Sequence, residues 1–237
     1  MREREAMKHI FIEGIQGMVK ETDHFSTYFY EEEAQLAENF IALLERKFQE
    51  IHKAFDFAYE KKKINFHFCK DAQEFIDVTG KSQEEYQTWM VGNSNQESHT
   101  IAIISPNAVT ERNQEDMEKI AVHELVHMIF DDATSMSGDD VEPWIAEGIA
   151  VLYAEQTNLD YISLDCCPEI ADIAGNFEAF VENQGYDYSG IYVWYFVEKY
   201  GFEEFLRAYQ NECKWGELIY EGFEKEAIEN FCKKVRH

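Results

Sequence analysis

Apolar residues recur at three- and four-residue steps from about Glu31 to Lys62: Ala37, Phe40, Ile41, Leu44, Phe48, Ile51 and Phe55. That period predicts a long helix with one buried stripe, its Glu and Lys residues on the outer face. The lysines at 61–63 suit its end, where cations meet the negative pole of the helix dipole. Ile64-Asn65-Phe66-His67-Phe68 then alternates apolar and polar, which predicts a half-buried strand. Residues 71–79 read as a short helix and 81–98 as a polar loop. Thr100 to Ser105 is a second strand, stopped by Pro106. A helix is predicted from about Asn113 to Phe130, amphipathic in its first half and nearly apolar all round in its second. Pro143, welcome in a first turn, opens another helix through about Gln156. Further helices are expected at 168–183, 189–200, 202–213 and 217–235. Strands gather in the first half of the chain and helices in the second, an α+β pattern.

Composition narrows the function classes. The 237 residues suit a single domain, 1–237, with an upper part at about 25–130 and a helical lower part at about 131–237. The charge of −26 excludes nucleic acid and an anionic membrane surface as expected partners, because both reward Lys and Arg. Eighteen Phe, 13 Tyr and 4 Trp separate the chain from disordered acidic proteins, which are poor in aromatics. No run of about 18 apolar residues and no signal-peptide core is present, so the cytoplasm is the expected location. Five cysteines, with no CxxC pair, read as reduced thiols rather than a disulfide frame or a Cys-based zinc site.

One polar cluster interrupts the apolar half of the 113–130 helix: His123-Glu124-Leu125-Val126-His127. Residues four apart lie about 40° apart around a helix, so both imidazoles leave one face, one turn apart. Two nitrogens so placed suit one zinc ion, and Glu124, beside the first, can act on a water as general base without ligating the metal. Zinc needs a third protein ligand. Glu147 is the best candidate: it stands twenty positions after His127 and breaks the apolar neighbourhood of Trp144-Ile145-Ala146-Glu147-Gly148-Ile149-Ala150. A carboxylate there is costly unless paired, and a cation would compensate it. Gly148, next to it, lets another helix approach closely.

HELVH followed by WIAEGIA resembles the gluzincin branch of zinc metallopeptidases. Residues 24–55, INFHFC, TIAIISP and the Tyr-rich GYDYSGIYVWYFVEKYG segment are similar to the layout of small peptidase-MA-like domains, over roughly residues 25–210. The resemblance implies a zincin-like fold: a small mixed sheet with an edge strand over the cleft, a motif helix and a mainly helical lower part. It implies Zn2+ as cofactor, held by His123, His127 and Glu147, with Glu124 activating the water and a peptide or protein as substrate. It also implies a Tyr that stabilises the oxyanion, either Tyr186 or Tyr188. The strand at 100–105 is expected to be the sheet edge, where extended peptides add as an extra strand.

Two departures shape the expected activity. Some gluzincins place an Asp four residues after the third ligand, and here that position is Val151. Aminopeptidases of the group carry a G-x-M-E-N segment on the edge strand, where this chain has NSNQES with Glu97 a poor substitute. An endopeptidase is therefore expected; the alternative is a zinc-bound scaffold that has lost turnover. Asp131, Asp132, Asp139, Asp140 and Glu142 are expected to form a solvated acidic loop between the two motif helices. Lys233, Lys234, Arg236 and His237 mark a helix end.

Overall fold

The computed structural model describes residues 8–12, 15–55, 62–136 and 140–235, with side chains from Gly17 onward. Its architecture is α+β. The strands are β1 (Lys8–Ile12), β2 (Ile15–Glu21), β3 (Phe25–Phe29), β4 (Ile64–Cys69), β5 (Gly92–Asn95) and β6 (Thr100–Ile104). They form one mixed sheet in the order β1-β2-β3-β4-β6-β5. β1–β2 and β2–β3 pair antiparallel, β3–β4 and β4–β6 pair parallel, and β5 returns antiparallel to β6.

Helix α1 (Ala34–Phe55) connects β3 to β4, the long crossover that parallel neighbours require. Its buried residues are the seven of the predicted stripe. Phe40 packs on Phe66 and Phe68 of β4, with ring centroids 6.5 and 5.1 Å apart, and Phe48 meets Phe25 of β3 at 6.3 Å. Alternation on β4 thus buries Ile64, Phe66 and Phe68 and leaves Asn65 and His67 half-buried. Helix α2 (Ala72–Thr79) follows, capped by Asp71, whose carboxylate accepts from the Glu74 amide at 2.9 Å. The expected extension of α1 to residue 62 runs into 56–61, outside the described residues, as do Asp139, Arg236 and His237.

Two corrections concern the sheet. The strand at 100–104 is not an edge: β4 and β5 flank it, and all five of its residues are buried. The edge is β5, in the stretch expected to be loop. Its sequence, GNSN, has no apolar residue, and its strand character comes from pairing with β6, continued by the Ile104 amide donating to the Val91 carbonyl at 2.9 Å. The three N-terminal strands were not expected either, since IQGMVKE shows no clean alternation.

The remaining helices are α3 (Gln114–Thr134), α4 (Pro143–Tyr153), α5 (Ile170–Ile173), α6 (Phe177–Glu182), α7 (Gly185–Tyr200), α8 (Phe202–Tyr209), α9 (Trp215–Leu218) and α10 (Phe223–Val235). The helix expected at 168–183 is broken in two because Asn176 caps α6, accepting from the Ala179 amide at 2.9 Å. The one expected at 217–235 is broken by a turn at 221–222. The chain divides into two units, Met1–Met128 and Ile129–His237, and the division falls inside the continuous helix α3. In the second unit, Trp144, Tyr188, Tyr192, Phe196 and Tyr209 are among the large side chains of the core. Among the described residues no helix is long and apolar enough to cross a membrane. All five cysteines are free.

Candidate metal centre

Helix α3 is capped by Asn113, whose side-chain oxygen accepts from the Asp116 amide at 2.9 Å while the Asp116 carboxylate accepts from the Asn113 amide at 3.3 Å. Lys119 and Glu115 pair on its outer side at 2.9 Å. One turn further the helix sinks into apolar surroundings: Ala121, Leu125, Val126 and Ile129 are buried. His123 is only 8% exposed there, and His127 is half-buried. The two Nε2 atoms stand 3.0 Å apart, with the rings edge to face at 4.7 Å. Two imidazole nitrogens approach so closely when one lends a proton to the other or when both turn lone pairs toward one cation.

Glu147 comes from α4. Pro143 opens that helix, and the Ile145 and Ala146 amides close its first turn on the Glu142 carbonyl at 2.9 and 3.1 Å. Trp144, Ile145, Ala146, Ile149 and Ala150 are buried, which leaves Glu147 the polar exception of an apolar helix. Gly148 meets α7 at backbone distance. A Cβ there would stand 2.6 Å from Val193 Cγ2 and 2.8 Å from the Ser189 carbonyl oxygen. Gly190 of α7 is equally tight, its would-be Cβ 2.8 Å from Val151 Cγ1. Reciprocal bare α-carbons thus lock α4 against α7, as the sequence predicted for Gly148.

His123, His127 and Glu147 each offer a ligand atom, and these atoms all lie within 4.8 Å of one another. Two nitrogens about 2.0–2.1 Å from one tetrahedral ion are about 3.3 Å apart, so the observed imidazole spacing needs little change to accept zinc. Two neutral nitrogens and one carboxylate are also a donor set that zinc favours over hard cations such as calcium. The residues fit the metal.

Glu124, half-buried, lies under the sheet edge. A Cβ on Gly92 of β5 would stand 2.5 Å from Ile120 Cγ2, 3.2 Å from Glu124 Oε1 and 3.3 Å from its Cγ. The edge strand therefore touches the α3 surface beside this carboxylate with bare backbone, which only glycine provides.

Both candidate tyrosines lie in the first turn of α7. The Tyr188 side chain is buried, and its hydroxyl accepts from the Ser163 amide at 3.0 Å and contacts the Ser163 carbonyl at 3.3 Å. Tyr186 is 38% exposed and stacks edge-on against Phe180 and Phe177, at 4.9 and 6.2 Å. Val151, four residues after Glu147, is buried in the α4–α7 contact.

A pair that the sequence reading missed is Asp131 and Tyr209. Asp131 was expected in a solvated loop, but α3 continues to Thr134 and buries it to 8% exposure. The Tyr209 hydroxyl, fully buried, donates to Asp131 Oδ1 at 3.2 Å. Burial, then the charge and hydrogen bond of Asp131, then the charge of Glu147, hold that hydroxyl protonated far above the ordinary tyrosine range. The only signal in the sequence was the four-residue step from His127 to Asp131.

Neither a protein-family model, nor a curated protein, nor a solved structure gives a significant match to this chain.

Proposed function

We propose that the chain is a zinc-dependent peptidase with a zincin-like fold, acting on peptides or proteins in the cytoplasm and cutting within the chain. The observation that carries this reading is the convergence of His123, His127 and Glu147 within 4.8 Å, with Glu124 next to the first of them on the same helical turn. His123, His127 and Glu147 would hold the ion. Zinc, when bound there, supplies Lewis acidity toward a water and a substrate carbonyl. Glu124 accepts the proton that the attacking water loses and passes it to the nitrogen of the breaking C–N bond, so that one water is added across the peptide link. Glu124 is half-buried, and the missing side chain at Gly92 leaves room for its carboxylate. The polar edge strand β5, with no acidic residue among Gly92–Asn95, offers no grip for a free amino terminus, which favours endopeptidase action.

The test is cleavage of a diverse peptide mixture by zinc-loaded protein, with fragments identified by mass spectrometry. Wild type is expected to cut at internal bonds. Glu124→Gln is expected to lose at least 100-fold in rate while binding zinc as wild type does, and Glu147→Ala to lose the metal as well. Cleavage that survives Glu124→Gln would overturn the mechanism. Zinc binding without cleavage by any form would instead support a silent zinc scaffold.

A further inference from the structure

Large apolar side chains exposed to solvent are unevenly spread. Among the described residues, Tyr161, Leu164, Phe177, Val181 and Tyr186 fall between positions 161 and 186, and only Trp89, Tyr220 and Val235 lie elsewhere. Three of the five gather on α6 and the start of α7, within the unit Ile129–His237. Phe177 and Val181, 43% and 49% exposed, stand one turn apart on α6 and so share a face. The Tyr186 ring lies edge-on to Phe177 at 6.2 Å. Beneath them the fully buried Phe180 ring stacks on Phe177 at 5.9 Å and meets Tyr186 at 4.9 Å. Gly185 leaves that ring its room, since a Cβ there would run into it. Rings held in this way lose little freedom when something covers them.

The charge around the patch says what can cover it. Glu178 and Glu182 repeat the four-residue step of Phe177 and Val181 one position on, so an exposed acidic stripe runs beside the apolar one. Asp187 follows Tyr186; it is half-buried, and burial raises its pKa. Among the described residues these three carboxylates have no hydrogen-bond donor and no ion-pair partner. Sixteen Asp and Glu, and no Lys or Arg, occur between Lys119 and Lys199. A second copy of this chain would bring the same carboxylates face to face, and nucleic acid or an anionic membrane would be repelled likewise. We infer that Phe177, Val181 and Tyr186, with Glu178, Glu182 and Asp187 beside them, form a docking surface for a basic polypeptide segment that carries Lys or Arg among apolar residues. The partner's apolar side chains cover the Phe177–Val181 face, and its cations meet the carboxylates and the exposed rings. The surface stands apart from the metal centre and is read by binding alone.

The probe is a fluorescently labelled peptide of alternating leucine and arginine, its binding to the full chain followed by anisotropy at physiological salt. Wild type is expected to hold it about 10-fold more tightly than a peptide of alternating serine and arginine, because only leucine can cover the apolar stripe. Glu178→Lys combined with Glu182→Lys is expected to weaken binding about 10-fold or more. Glu84→Lys combined with Glu111→Lys, at two exposed positions of the first unit, changes the net charge equally and should weaken it less than about 3-fold. Phe177→Ser combined with Val181→Ser should erase the preference for leucine; if that variant melts below the assay temperature, the two charge reversals carry the test. Equal losses from both reversals would mean general attraction to an acidic protein and would overturn the docking surface. Equal affinity for the two peptides, or no binding of either, would overturn it as well. So would a wild-type dimer, seen by sedimentation, that Glu178→Lys with Glu182→Lys dissolves, since a second copy would then be the occupant.

Discussion

Helices α1 and α3, of 22 and 21 residues, both carry His and Glu side chains, and they turn them in opposite directions. On α1 the apolar stripe faces the sheet and the charged groups face water, where Arg46 and Glu50 pair at 3.0 Å with about half of each side chain exposed. On α3 the first turns follow the same plan, and from His123 onward polar groups point inward among buried Leu125, Val126 and Ile129. The apolar stripe decides where a helix lies. Inward polar exceptions decide what chemistry it can host, because each must find a proton, a partner or a cation.

The entry to α1 supplies a smaller case of the same problem. Glu33, in the short turn ahead of that helix, is buried and accepts a hydrogen bond from the Ser105 hydroxyl. Burial raises its pKa against the pull of hydrogen bonds from Ser105 and Asn107. Here burial of the carboxyl is answered by hydrogen bonds from Ser105 and Asn107, whereas Glu147 lies in a set of three converging ligand atoms.

Four experiments would sharpen or break this contrast. The largest expected effect is on the stripe of α1: Phe40→Ala, which removes the ring packed on Phe66 and Phe68, should cost about 3–5 kcal/mol in urea unfolding. Next is the contact over α3. Gly92→Ala should cost about 1–3 kcal/mol, and a double-mutant cycle with Ile120→Ala should recover most of it, because Ile120 Cγ2 is the nearest atom. No coupling between the two sites would mean that β5 does not press on the helix.

Glu33→Gln tests the proton. A folded-state pKa above the ordinary 4.5 contributes stability that is complete below that value and is lost as pH rises through the raised one. The variant should therefore match wild type in melting temperature near pH 4 and exceed it at pH 7.5; equal melting curves at both would show that Glu33 is not strained as an anion. The smallest effect belongs to the outward pair: Arg46→Ala should change stability by less than about 0.5 kcal/mol, and less still in high salt.

Periodicity made α1, β4, β6 and the start of α3 legible, since each carries its own apolar pattern. It could not reveal β5, whose four polar or glycine residues become a strand only through β6. The HELVH turn and Glu147 were legible because polar residues stood out against apolar helices. Asp131 was not: followed by Asp132, Ala133 and Thr134 it resembles the start of a loop, and its hydrogen bond from Tyr209 comes from 78 positions away.

As a constraint on sequence drift, the α4–α7 seam makes residue 148 dependent on its neighbours across the contact. An alanine there needs ground from Val193, which a smaller side chain could yield, and from the Ser189 carbonyl, which as backbone cannot shrink. The return contact at Gly190 is bounded in the same way by Val151. Reducing Val193 would relieve one contact at residue 148 and leave the Ser189 backbone in place. Glu147 is therefore carried on a helix whose seam leaves the neighbouring residue 148 almost no room for a side chain.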